Sequence, residues 1–334
     1  MKGANSGIGY EISLALARLG VSVTMACRSP SRCEAAAKRI REDEIVVRRG
    51  NEDRGVANPG SAVVTMIVDT SSLRSVKTFC HEFQARNDDA EGNRLPLDML
   101  FLNAGIGFAG KNEDGSLPLS EDGIEMTFAT NIVGHHLMYR LLEPSIRRSD
   151  ELRRTPARIV QTSSALNYLN TLPYHVATDL ETLNSDQGGS LYAQSKLAQI
   201  LWAKELTSRL DADANNTDPN SIVYVNAAHP GGVATNIWHE KEFVILPWRA
   251  KAAKFWMRCF TSFMWMPEEA ALTLIYLGTA VEQLQKENVR GRYFHPQTKE
   301  MKEHKLFPKD NGQQTNILQE NVWKFLDELV ADFV

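Results

Sequence analysis

Apolar residues along this chain recur in two rhythms. Short β-branched or continuously apolar runs alternate with longer stretches in which apolar positions return every three to four residues. The first kind predicts strands over 21–27, 62–68, 97–103, 158–162 and 222–228. The second predicts helices over 8–19, closed by Gly20, and over 73–86, 123–148, 191–210, 268–284 and 321–333. Strands that alternate with helices point to an α/β fold, a parallel sheet with helices on both faces. Polar stretches at 41–60, 87–94 and 211–220 read as surface loops enlarged by insertion. None breaks the rhythm on either side, so residues 1–334 are expected to form one domain.

Composition narrows the function. The chain is 43% hydrophobic and 23% charged, close to the globular average, so a well-filled core is expected. Its net charge is -4, with no long block of like charge, which argues against nucleic acid as a partner. No uninterrupted apolar run reaches the roughly 18 residues of a spanning helix. The start is charged and Gly-rich, unlike a signal peptide. An intracellular protein, cytoplasmic or peripherally membrane-associated, is the expectation. Cys27, Cys33, Cys80 and Cys259 show no CxxC pair and no zinc spacing. They read as small thiols in a reducing compartment, with a Cys27–Cys33 redox pair as the lesser alternative. His135 and His136 follow Asn131 with no carboxylate or cysteine at ligand spacing, so they read as packing and surface histidines. No metal site is expected. His229, just before a Pro-Gly turn, reads as structural.

Gly3-Ala4-Asn5-Ser6-Gly7-Ile8-Gly9 opens the first helix. Glycines there permit a tight turn and let the backbone approach a pyrophosphate, which meets the positive end of the helix dipole. A plain capping turn is the alternative; the amphipathic helix and strand that follow favour phosphate binding. Arg28 ends the next strand, where an NAD-specific site would carry an acid for the ribose hydroxyl. A guanidinium suits a 2′-phosphate, so NADP is favoured, with NAD as the alternative. Asp69 ends the following strand, within reach of an adenine amino group. Such a sheet also needs a strand before the glycine loop, yet just Met1 and Lys2 precede Gly3. Losing a central strand would cost far more than the usual net stability of about 5–15 kcal/mol. The expectation is a start other than the natural one, or a degraded copy.

Tyr192 and Lys196 fall four apart on a predicted helix, so both project from one face. A phenol titrates near pH 10, whereas a proton donor at neutral pH works best near 7. Closing that gap takes roughly 4 kcal/mol, which a neighbouring ammonium can help supply. On its own the spacing is a common accident. Here a strand runs into Ser163 and Ser164, another ends at Asn103-Ala104-Gly105, Asn131 sits in Thr130-Asn131-Ile132-Val133-Gly134, and His229-Pro230-Gly231-Gly232-Val233-Ala234-Thr235 follows a strand beyond the tyrosine helix.

In this order the motifs resemble the short-chain dehydrogenase/reductase family over nearly the whole chain. Ala26-Cys27-Arg28, Ser195-Lys196-Leu197-Ala198 and Gly291-Arg292-Tyr293-Phe294 are most similar to its retinol dehydrogenase-like branch. The resemblance implies a Rossmann-type doubly wound sheet and an NADP-linked interconversion of an alcohol and a carbonyl. Tyr192 would be the general acid or base, and Lys196 would lower its pKa and hold the nicotinamide ribose. Ser164 would hydrogen-bond the substrate oxygen, and Asn131 would support a water-linked proton relay to Lys196. Gly3, Asn5, Ser6, Gly7, Ile8 and Gly9 would hold the pyrophosphate, with Asn103, Ala104 and Gly105 lining the adenosine side. Pro230, Gly231, Val233 and Thr235 would hold the nicotinamide end. Lys2 stands where the family usually places a threonine. The aromatic and basic segment near 236–267 would form a substrate lid, implying a lipophilic retinoid, steroid or other lipid carbonyl. Peripheral membrane contact is the second reading of that segment, and packing on its own domain or in a homo-oligomer the third. The competing function is a non-catalytic member, shortened at its start and kept for binding or interaction.

Overall fold

The computed structural model of the chain describes residues 3–52, 62–88, 95–153, 155–169, 176–185, 191–216, 223–232, 265–301 and 313–334. Elements follow in the order α1 (Gly7–Arg18), β1 (Val23–Cys27), α2 (Pro30–Arg41), α3 (Glu44–Glu52), β2 (Val63–Ile67), α4 (Leu73–Asn87) and β3 (Met99–Leu102). A short helical turn, Met126–Phe128, then enters a π-helical turn, Ala129–Val133, which continues as α5 (Gly134–Arg153). After β4 (Ala157–Thr162) come α6 (Leu180–Asn184), α7 (Leu191–Asn216), β5 (Val223–Ala228), α8 (Pro267–Thr279), α9 (Val281–Lys286), β6 (Tyr293–His295), β7 (Lys299–Glu300) and α10 (Gln313–Val330).

The five predicted strands are present and all six predicted helical stretches are helical, with ends shifted by a few residues; 268–284 is broken at Ala280 into α8 and α9, and 123–148 opens through the π-helical turn. β1 pairs with β2 in parallel, and β3, β4, β5 and β6 form a second parallel block closed by antiparallel β7. Among the described residues no strand is hydrogen-bonded between β1 and β3. Gly3 touches both blocks: its N–H donates to Ala26 O at 2.9 Å, and a Cβ on it would lie 3.0 Å from Ala104 Cα.

Side chains alternate across the strands into two apolar layers, as a period of two requires. Leu100, Leu102, Ile159 and Val225 face a layer with α4, α5, α7 and α10; Met25, Phe101, Val160 and Tyr224 face α1, α2 and α8. This is a doubly wound sheet of Rossmann type.

Several expectations change. The polar stretch 41–60 holds α3. Asp43 accepts the N–H groups of Ile45 and Val46, Arg18 grips the same carboxylate at 2.7 Å, and Val46 supplies a buried anchor. The stretch 211–220 begins as helix, because α7 runs on to Asn216. Cys27 and Cys33 form a disulfide rather than two thiols: α2 folds back over the end of β1 and its inner stripe of Cys33, Ala36, Ala37 and Ile40 meets Cys27. Cys80 is buried as a free thiol, and Cys259 lies outside the described residues.

His135 and His136 are both fully buried, so neither is a surface residue. The Trp202 indole donates to His136 Nδ1 at 3.0 Å, and an indole nitrogen can only donate. The ring hydrogen therefore sits on Nε2, which donates to Asp327 at 2.9 Å, where Arg140 also binds. Trp323 meets the imidazole edge-on, with ring centroids 4.9 Å apart. One neutral histidine thus ties α10 to α5 and α7. Burial holds its pKa below the ordinary 6.5, against the pull of Asp327. We predict that His136→Leu, which strands a buried indole donor, lowers unfolding free energy by about 1–3 kcal/mol in a denaturant titration at pH 7. As pH falls below 6.5, the unfolded chain takes this proton first, so the wild-type advantage shrinks on acidification.

Candidate active site

β4 leaves the sheet at its carboxyl edge through Ser163 and Ser164. Ser163 Oγ donates to the Lys196 carbonyl at 2.7 Å, fastening α7 to the strand end. Ser164 Oγ accepts from Leu166 N–H at 3.2 Å and lies near enough to the Tyr192 phenol to favour its anion. Lys196 Nζ lies 5.6 Å from the Tyr192 ring centroid and donates to the Thr162 carbonyl at 3.0 Å. Lys196 is just 4% exposed, and burial depresses its pKa to about 7. Burial raises that of the Tyr192 phenol, with the Ser164 hydroxyl opposing the rise. A phenol, a hydroxyl and an amine therefore share one corner of the sheet edge.

Asn131 reaches the same corner from the π-helical turn. Its Oδ1 accepts from Ile106 N–H at 2.8 Å, while Nδ2 donates to Ile106 O at 3.1 Å and to Ser195 Oγ at 2.9 Å. Ser195 Oγ in turn donates to the Tyr192 carbonyl at 2.8 Å. A Cβ on Gly105 would lie 3.1 Å from Asn131 Oδ1 and 3.3 Å from Lys196 Nζ, which shows how closely the three meet.

The glycine loop forms a cradle beside this corner. Gly3 and Gly7 adopt φ of 70° and 51°, conformations costly for a side chain. A Cβ on Gly9 would fall 2.0 Å from the Gly3 carbonyl oxygen and 2.9 Å from Asn103 Nδ2. Asn103 Oδ1 accepts from Thr162 Oγ1 at 3.2 Å, so its amide joins the loop to the end of β4. Asn5 and Ile8 are half-buried and Ser6 exposed; no acidic residue occupies the first turn of α1, and no side chain caps it. A helix start left in that state suits an anion. Arg28 is exposed at the end of β1, and Ala104 packs against Gly3. Asp69, half-buried after β2, accepts from Ser71 through Oδ1.

At the far end, the Gly231 N–H donates to His229 Nδ1 at 3.0 Å, which pins the turn after Pro230. The Trp265 ring lies against Gly231, 2.7 Å from where a Cβ would be. Val233, Thr235 and residues 236–264 of the expected lid lie outside the described residues. No cluster able to hold a metal ion occurs among the described residues, and no helix there is long and apolar enough to cross a membrane.

Several contributors escaped the sequence reading. Thr162 acts through its backbone carbonyl, which carries no sequence signal. Ser195 and Gln199 lie four apart on the helix that carries Lys196, a clue that could have raised them. Tyr293, noted as part of a late motif, accepts from Asn167 Nδ2 at 2.8 Å and so braces the loop that carries Ser164.

A family profile described as short chain dehydrogenase matches residues 1–175. Human retinol dehydrogenase 14 is 34% identical over 92% of this chain and 79% of its own length. Mouse polyprenol dehydrogenase is 34% identical over 87% of this chain and 73% of its own. The structure of L-sorbose reductase from Gluconobacter frateurii, complexed with NADPH and L-sorbose, shares the fold at TM-score 0.58. It is 17% identical and covers 91% of this chain and 96% of the reductase. Profile, relatives and fold agree: the chain belongs to the short-chain dehydrogenase/reductase family, on its retinol dehydrogenase-like branch, and is an oxidoreductase that acts on CH–OH groups.

Proposed function

We propose that this oxidoreductase uses NADP and interconverts a lipophilic alcohol and its carbonyl, a retinoid, steroid or other lipid. The observation that carries the reading is the buried Lys196 amine, 5.6 Å from the Tyr192 ring and tied to the strand end that leads into Ser164. The residues present fit a dinucleotide: a glycine cradle, an uncapped helix start and an exposed Arg28 lie in sequence beside that corner. When bound, NADP supplies the hydride acceptor or donor.

The chain's own residues do the rest. Tyr192 gives its phenolic proton to the carbonyl oxygen in reduction and takes it back in oxidation. Ser164 donates to the same oxygen and holds the phenol in place. Protonated Lys196 favours the phenolate by charge, and its amine is placed to bind the nicotinamide ribose. Asn131 keeps the Ile106 peptide and Ser195 fixed around that amine; a water-linked relay from Asn131 to Lys196 would carry the proton outward. Gly3 to Gly9 receive the pyrophosphate, and Arg28 the 2′-phosphate. Asp69, Asn103, Ala104 and Gly105 line the adenosine side, and Pro230, Gly231, Val233 and Thr235 the nicotinamide end. The names of two relatives support a long apolar substrate, since retinol and polyprenol are both isoprenoid alcohols. The aromatic and basic segment near 236–267 suits a lid over such a chain, and contact with a membrane surface would bring it there.

An NADPH-consumption screen over retinal, a ketosteroid and an aliphatic aldehyde tests this reading; no turnover of any would overturn it. Tyr192→Phe should abolish turnover yet leave NADPH quenching of tryptophan fluorescence intact, and retained turnover would remove Tyr192 from its role. Loss of a charge-assisted contact in Arg28→Ala should raise the NADPH dissociation constant about 10- to 100-fold with little change for NADH. Equal effects on both cofactors would defeat the NADP assignment. In the cofactor-free protein, Lys196 titrates near 7 against an ordinary 10.5. The unfolded chain then binds the extra proton between those values, so stability gains from this residue as pH rises through that window. Lys196→Met should flatten that part of the melting-temperature profile; an unchanged slope would contradict the buried amine.

A further inference from the structure

The Asn131 carbonyl, in the π-helical turn, accepts a hydrogen bond from Gln199 Nε2 at 2.7 Å. Gln199 lies on α7 one turn beyond Lys196 and is fully buried. The orientation of its amide is not arbitrary. A carbonyl can only accept, so the nitrogen must face Asn131. Gln199 Oε1 is then left buried without a hydrogen-bond partner among the described residues. The buried amide is therefore anchored through its donor, at the Asn131 carbonyl.

That donor acts at the head of a chain of contacts. Asn131 fixes both polar groups of Ile106 and the hydroxyl of Ser195, and Ser195 fixes the carbonyl of Tyr192. Gly105, next to Ile106, lies against both Asn131 and Lys196. A π-helical turn is a local departure from the α-helical ladder, and such turns need outside contacts to hold one geometry. We propose that Gln199 is a positioning residue for catalysis: by gripping the Asn131 carbonyl it sets the depth of Asn131 and, through Ser195, the place of Tyr192 beside Lys196. The inference rests on the roles given to Tyr192 and Lys196 above.

Three variants test it with NADPH and whichever of retinal, the ketosteroid or the aliphatic aldehyde is reduced. Gln199→Met keeps the volume and removes the donor. Displacement of a catalytic group by about 1 Å can cost 100-fold, so kcat should fall about 10- to 100-fold. KM for NADPH and NADPH fluorescence quenching should stay within about twofold, since the cradle is untouched. Gln199→Glu is its own control. A protonated carboxyl can donate to the Asn131 carbonyl, whereas a carboxylate cannot. Its kcat should approach the wild-type value at acidic pH and fall reversibly as pH rises, in a step absent from wild type and from Gln199→Met. Loss of packing alone would lower the melting temperature without that step. Tyr192→Phe, run alongside, separates the two claims: if it stays active, the assigned acid is wrong whatever Gln199 does. A readout without substrate is the near-ultraviolet titration of Tyr192, taken as the difference from Tyr192→Phe. Gln199→Met should move its midpoint upward, as the Ser164 contact loosens. Wild-type kcat in Gln199→Met, a Gln199→Glu profile parallel to wild type, or an unmoved tyrosine titration would each overturn the proposal.

Discussion

An amine buried almost wholly from solvent dictates the layout of this protein. Lys196 has lost nearly all contact with solvent, and its amine donates to the backbone carbonyl of Thr162, the last residue of β4. A buried amine holds its proton weakly unless something nearby favours the charge. Helix α7 must therefore sit at a fixed height against the strand end. Ser163 holds it there from the other side by gripping the Lys196 carbonyl. With both ends of one residue fastened to β4, Tyr192 has little choice of position. Its phenol arrives beside Ser164, the next residue along the departing chain.

The apolar layers explain why that height is stable. On one face α7 packs between α5, α10 and the central strands, through Leu197, Leu201 and Trp202. Trp202 does two jobs, filling volume and presenting its N–H to His136. A polar link buried among aromatic rings fixes register better than apolar packing alone, because a slip would break it without compensation. The C-terminal helix thus restrains the element that carries Tyr192 and Lys196. On the other face α8 lies directly on β3, so near that a Cβ on Gly278 would fall 2.3 Å from the Phe101 ring.

Membership of the family and position within it have different grounds. The fold is shared with reductases under 25% identical, so the fold by itself says little about what is turned over. The retinol dehydrogenase-like branch rests on relatives about a third identical over most of this chain. Between the two lies the site, where Asn131 reaches the Tyr192 carbonyl through the Ser195 hydroxyl and Lys196 is tied to β4 through the Thr162 carbonyl.

The sequence by itself determined the alternation of strands and helices, the glycine cradle and the Tyr192–Lys196 pair. Each depends on spacing along one segment, where a period of 2 or 3.6 or a four-residue step carries the physics. Helix α3 was hidden because its buried anchor, Val46, leaves almost no stripe, and its cap depends on Arg18 from another helix. Helix α2 was hidden by small inner residues, whose weak hydrophobicity blurs a correct period. Tertiary structure alone decided what depends on distance between segments. The Cys27–Cys33 disulfide needs α2 folded over β1; His136 needs Trp202 and Asp327 from two further helices; Gln199 needs a carbonyl 68 residues away. Such partners meet only once helices and strands have packed together, and no local pattern records which groups wait there.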